Sequence, residues 1–305
     1  MRRFRFLGAT MVAAALVATA CGDSDDDGTV TGGQSTDTTL ARPTFAAGTT
    51  MATLQSKGKI VVGVKFDQPG LGQKNPISQK VEGFDVEIAK QIAVGIFGGT
   101  INDIESKIDF REATTPNREV FIENGTVDMV VATYTINDAR KQRIDFAGPY
   151  YIAGQSILVK NDNTDITGPD SFKDGTKKVC SVTNSTPATN IEKYLGDKAK
   201  QLVLFDIYQK CVDALKGGQV NAVTTDNVIL TGFVATNEGQ FKLAGTPFTE
   251  EPYGIGLKKG DKDFREFVNK TLETSFTDGT YLKAWKDTAG KFDPADPKIP
   301  TINRY

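Results

Sequence analysis

Residues 59–65 read Lys-Ile-Val-Val-Gly-Val-Lys, a short run rich in β-branched side chains and bracketed by charge. That pattern predicts a buried strand. Gly83-Phe84-Asp85 then opens a helix on which Phe84, Ile88, Ala89, Ile92, Ala93 and Ile96 share one face, with Asp85 placed to cap it. A second helix is predicted between Pro116 and Gly125, and a strand over 127–132 follows. Alternation of this kind predicts a parallel α/β sheet. The middle of the chain repeats the grammar. Residues 177–182 echo 59–64, and residues 217–226 echo 124–133: a helix end, a glycine, a polar residue, Val, Asp or Asn, then a strand. The pattern suggests two α/β lobes of similar design, although any two βαβ units share some of it.

In open α/β sheets ligands sit beyond the carboxyl ends of the strands. Two facing lobes would therefore build a cleft from Lys65, residues 132–135, residues 183–186 and Thr225-Asp226. Lys65 supplies a cation. Thr133 and Thr135 supply hydroxyls, and Arg140 follows them. Ser185 and Thr186 lie at a predicted helix start, Asp226 supplies an anion, and Arg118 precedes the second helix. Arg grips a carboxylate through parallel hydrogen bonds, Asp accepts from an ammonium, and hydroxyls satisfy the remaining oxygens. The set suits a small zwitterion with an extra negative charge. The plainer reading of any one of these residues is a charge on a solvated face.

The N-terminus reads as an address. Arg2, Arg3 and Arg5 precede an apolar run over residues 6–20, too short to span a bilayer and shaped like a secretory signal. Ala18-Thr19-Ala20-Cys21 resembles a lipobox, which makes Cys21 the expected lipidated residue and places the protein on the outer face of the cell membrane. Residues 21–56 are rich in Asp, Thr, Gly and Ser, with too little apolar surface to offset chain entropy, so a flexible acidic tether is expected there. Export implies an oxidising compartment. With Cys21 lipidated, Cys180 and Cys211 remain as one pair. Bridging them would close a loop of about 31 residues; two buried thiols are the alternative.

Composition narrows the chemistry further. The 305 residues contain no histidine, which removes Ser-His-Asp and Cys-His catalysis and His-ligated zinc. Three cysteines cannot form a four-Cys zinc site, and a net charge of −2 offers no nucleic-acid surface. No catalytic residue, metal or cofactor is expected.

The stretch Thr133-Tyr-Thr-Ile-Asn-Asp-Ala-Arg140-Lys-Gln-Arg143-Ile-Asp-Phe146-Ala-Gly-Pro149-Tyr150, with Gly83-Phe84-Asp85, Val127-Asp128 and Glu251-Pro-Tyr253-Gly-Ile-Gly-Leu257, resembles extracellular solute-binding proteins of family 3, which serve ABC importers of polar amino acids. The resemblance covers about residues 57–290. It implies a two-lobe periplasmic-binding-protein-like α/β fold with a ligand cleft. Lobe one would be 57–149 plus 249–305 and lobe two 155–243, with hinge strands near 150–154 and 243–248. It also implies that Arg140, Thr135 and Thr186 hold the ligand's α-carboxylate and that Thr133 and Asp226 meet the ammonium, with Ser185 in the same turn. Residues 64–72, Thr115-Pro-Asn-Arg118 and the paired cysteines resemble the glutamate-binding lipoproteins of actinobacteria. That branch makes Lys65 and Arg118 the partners of a side-chain carboxylate. The implied function is capture of glutamate, or a related acidic amino acid, by hinge closure, and delivery by a monomer to a membrane permease. Glutamine or another polar amino acid is the alternative ligand, and a lyase on the same fold the alternative activity.

Overall fold

A computed structural model describes residues 39–305. The expected signal segment, Cys21 and the first part of the tether lie outside the described residues. The last part of the expected tether is folded. Leu40 pairs with Gly99, and α1 (Thr50–Lys57) buries Met51 and Leu54, capped by the Thr49 hydroxyl. Two apolar side chains among polar neighbours make a weak periodic signal, yet they suffice because they pack on a helix that is already buried.

That helix is α2 (Phe84–Phe97). It follows β1 (Ile60–Val64) and a small antiparallel sheet of β2 (Asp67–Gln68), β3 (Gly72–Lys74) and β4 (Val81–Glu82). The predicted apolar face is buried, and so are Asp85, Val86, Lys90 and Val94, because α2 is covered on several sides. Asp85 does not cap it. Gly83 is the N-cap, with no side-chain bond, and the Asp85 carboxylate points elsewhere. The chain continues through β5 (Ile108–Glu112), α3 (Arg118–Glu123), β6 (Met129–Val130), α4 (Asp138–Arg143) and β7 (Asp145–Ala153).

After Gly154 the chain enters a second sheet. Its elements are β8 (Gln155–Lys160), β9 (Val179–Val182), α5 (Thr186–Ile191), α6 (Lys198–Gln201), β10 (Leu202–Phe205), α7 (Tyr208–Lys216), β11 (Ala222–Asp226), α8 (Asn227–Thr236) and β12 (Phe241–Ala244). The return crossing runs over residues 245–250, later than expected, because Leu243 and Ala244 still pair with β8. The chain then rejoins the first sheet as β13 (Glu251–Leu257) and ends with α9 (Lys262–Asp278) and α10 (Thr280–Asp287) packed beside α2. Trp285 and Tyr281 on α10 are buried against Phe84 of lobe one.

The two sheets have one design. Lobe one runs β5-β1-β6-β13-β7 and lobe two runs β10-β9-β11-β8-β12. In each, the first three strands are parallel and the last two join antiparallel. Cys180 on β9 and Cys211 on α7 are joined by a disulfide, both fully buried.

Candidate functional site

The carboxyl ends of β6, β9 and β11 meet at a small cavity walled by both lobes. Lobe one contributes Thr115, Arg118, Thr133, Thr135 and Arg140. Lobe two contributes Ser185, Thr186, Pro187, Tyr208, Thr225, Asp226 and Ile229.

Local structure sets each group. Asn137 caps α4 by accepting from the Arg140 amide at 2.9 Å, which places Arg140 on the first turn beside the strand end. Its guanidinium donates to the carbonyls of Thr135 at 2.7 Å and Asn184 at 3.0 Å, and its Nε lies 3.3 Å from Glu119. Five N–H groups with three protein partners leave two for a ligand. Arg118 donates to the carbonyls of Ala132 at 2.9 Å and Thr133 at 3.3 Å. The buried Tyr134 ring lies 4.0 Å from the Arg118 guanidinium and 4.9 Å from that of Arg140, so one aromatic side chain touches both cations.

Thr133 adopts φ 44°, an uncommon conformation for a β-branched residue. Asp85 holds it there, accepting from the Thr133 amide at 2.9 Å and from the Tyr150 hydroxyl at 2.7 Å. Burial pushes the Asp85 carboxyl up to about 6. The Thr133 hydroxyl donates to Gln68.

On the facing wall, Asp226 accepts from the Tyr253 hydroxyl at 2.6 Å through Oδ2, while its buried Oδ1 has no protein partner. Burial, and then the nearby Glu251 charge, push this carboxyl up to about 7. Ser185 caps α5, accepting from the Ala188 amide at 3.0 Å, so its hydroxyl already has a structural task. The Thr186 hydroxyl donates to Glu251 of lobe one at 2.6 Å and lies 3.3 Å from the Thr135 hydroxyl, from which it can accept.

Seven of the eight expected ligand residues line the cavity. Lys65 does not. It is buried directly behind Thr115 and donates to that hydroxyl at 2.7 Å. Burial, and then the Arg118 charge, lower its pKa to about 7. Tyr208, Ile229 and Glu119 escaped the sequence reading, while Thr225 and Tyr134 fell within the expected strand ends without a role of their own. Tyr208 was findable. It follows β10, a fifth strand whose Leu-Val-Leu-Phe run signals it, and the rule of strand carboxyl ends then points to α7.

The arrangement can hold a small molecule with anionic groups toward lobe one and a cationic group at Asp226. Comparison with known proteins agrees in kind. The family model of bacterial extracellular solute-binding proteins, family 3, matches residues 60–287. The chain is 37% identical to the glutamate-binding protein GluB of Corynebacterium glutamicum, over 95% of this chain and 92% of that one. It is 40% identical to the ABC transporter glutamine-binding protein GlnH of Bacillus subtilis, over 81% of this chain and 86% of that one. Among solved structures it is similar to an ancestral arginine-binding protein bound to glutamine, with TM-score 0.68 and 33% identity, covering 76% of this chain and 97% of that one.

Proposed function

The chain belongs to the bacterial extracellular solute-binding proteins of family 3, and from that premise we propose that it captures glutamate, or a related acidic amino acid, between its lobes and passes it to a membrane ABC permease. One observation carries the choice of ligand. Three buried cations, Lys65, Arg118 and Arg140, stand on the lobe-one side of a cavity whose lobe-two side offers one carboxylate with a free buried oxygen. In this reading Arg140, with Thr135 and Thr186, takes the α-carboxylate. Asp226 and Thr133 take the ammonium. Arg118, backed through Thr115 by Lys65, takes the side-chain carboxylate, and Ser185 shapes the turn. A neutral glutamine side chain would leave the Arg118 charge buried with two carbonyls and the Tyr134 ring but no counter-charge, which is costly.

Ligand contacts on both walls favour the apposed lobes by their differential affinity, so binding drives closure. The protein acts as a binder, not an enzyme, and as a monomer, since one chain supplies the whole cavity. Anchoring through lipidated Cys21 completes the proposal. The test is calorimetry of the purified protein with glutamate, aspartate, glutamine and arginine, followed by recovery of the ligand. Tight glutamate binding, weak glutamine binding and unchanged ligand are expected. Preference for glutamine or arginine would overturn the acidic pocket, and a chemically altered ligand would favour the lyase.

A further inference from the structure

Asp67, at the start of β2 in lobe one, reaches across the cleft. Its Oδ2 accepts from the backbone amides of Tyr208 at 2.8 Å and Gln209 at 3.2 Å, the first two residues of α7 in lobe two. The residue before that helix, Ile207, has no capping side chain. The cap of α7 is therefore supplied by the other lobe, as a carboxylate placed at the positive end of a helix dipole.

A second contact lies two residues further along the same loop. The Pro69 carbonyl oxygen comes within 2.4 Å of where a Cβ on Gly232 would stand. Gly232 is buried in α8, where alanine would be the better helix former. Nothing in the local conformation of α8 requires glycine, since its φ is not positive. The close approach of the lobe-one loop does. Neither Asp67 nor Gly232 lines the cavity.

We propose that Asp67, Pro69 and Gly232 form a closure latch that sets how tightly the protein holds an amino acid without taking part in choosing which one. The inference rests on the capture reading above. Contacts that exist only with the lobes apposed add to the affinity of every ligand that closes them, and they cancel from the ratio between two ligands.

The test compares wild type, Gly232→Ala and Asp67→Ala by calorimetry with glutamate and with glutamine, together with thermal melting of each protein without ligand. Each variant is expected to lose about ten-fold or more in affinity for both ligands, with the glutamate-to-glutamine ratio held within about two-fold. Gly232→Ala should melt no lower than wild type without ligand, because the added methyl meets Pro69 only when the lobes close. Wild-type affinity in both variants overturns the latch and leaves capture standing. A changed ratio overturns it too, by making these residues selective. A wild-type protein that binds no amino acid overturns the capture reading and the latch with it. Should Gly232→Ala fail to fold, Asp67→Ala decides the question alone.

Discussion

The two lobes share a sheet order and a strand grammar, yet their cleft walls are chemically opposite. Aligned by the sequence echo, Gly125 matches Gly218, and both sit in the left-handed region, at φ 72° and 73°. Asp128 matches Asn221, and each side chain accepts from a backbone amide of its lobe's first parallel strand or its flank, Val61 or Lys178, at 2.7 Å. Five residues later the likeness ends. Thr133, three residues past β6, stands where Asp226 closes β11. The same place in the same fold carries a neutral hydroxyl on the wall rich in cations and an acid on the wall without them. The scaffold is repeated and the chemistry is divided, as a ligand with charges of both signs at its two ends would require.

Removing that difference should have the largest effect. Asp226→Thr gives lobe two the residue of lobe one and leaves an ammonium buried without its counter-charge. Amino-acid affinity should fall by about 4 kcal/mol, close to a thousand-fold, by calorimetry. Without ligand the same variant should gain stability at alkaline pH. Asp226 has its folded pKa raised to about 7 against an ordinary value of 3.8. A raised carboxylate contributes stability below pH 4 that is lost as pH rises through 7. The variant lacks that loss, so its thermal midpoint relative to wild type should climb between about pH 4 and pH 7 and level off above that. A flat difference would mean that Asp226 is not a strained acid. Affinity of the wild type should weaken as pH falls below about 7, since an ammonium needs the ionised form.

The disulfide is the next asymmetry. It ties β9 to α7 in lobe two, whereas the matching strand of lobe one, β1, is held by packing against α2. Cys180→Ala with Cys211→Ala should cost about 3 kcal/mol in urea unfolding, because a loop with a separation of 31 residues is released in the unfolded chain. Lobe two should then unfold before lobe one, splitting a single transition into two. A variant that still unfolds in one step would show that the lobes share their stability through the cleft.

How much of this was legible in the sequence follows the same division. The repeated grammar is local. A glycine, a polar acceptor and a β-branched run can be read by eye, and they led to the strand ends and to seven cavity residues. Lys65 was legible as a buried cation but not as one held behind Thr115, because the depth of a side chain depends on what packs over it. Asp85 shows the limit most clearly. Its position at a helix start suggested a cap, but the helix is capped by glycine and the carboxylate is spent on Thr133 and Tyr150, 48 and 65 residues away. Tyr134 and Glu119 gave no signal, because their partners are the two arginines that only the fold brings together.

The smallest effect tests whether the repeat is physical or merely visual. Asp128 and Asn221 do the same job, so Asp128→Ala and Asn221→Ala should each destabilise by losing one acceptor. The losses should not be equal. The amide served by Asp128 belongs to the half-buried Val61 within β1, whereas Asn221 serves exposed Lys178 just before β9. Water can replace the lost acceptor at Lys178 and does so poorly at Val61, so about 1.5 kcal/mol is expected for Asp128→Ala and about 0.5 kcal/mol for Asn221→Ala. Asp128→Asn keeps an acceptor oxygen and should recover most of the loss in lobe one. If it recovers none, the charge of Asp128 matters more than its hydrogen bond, and the likeness between the two positions is one of sequence alone.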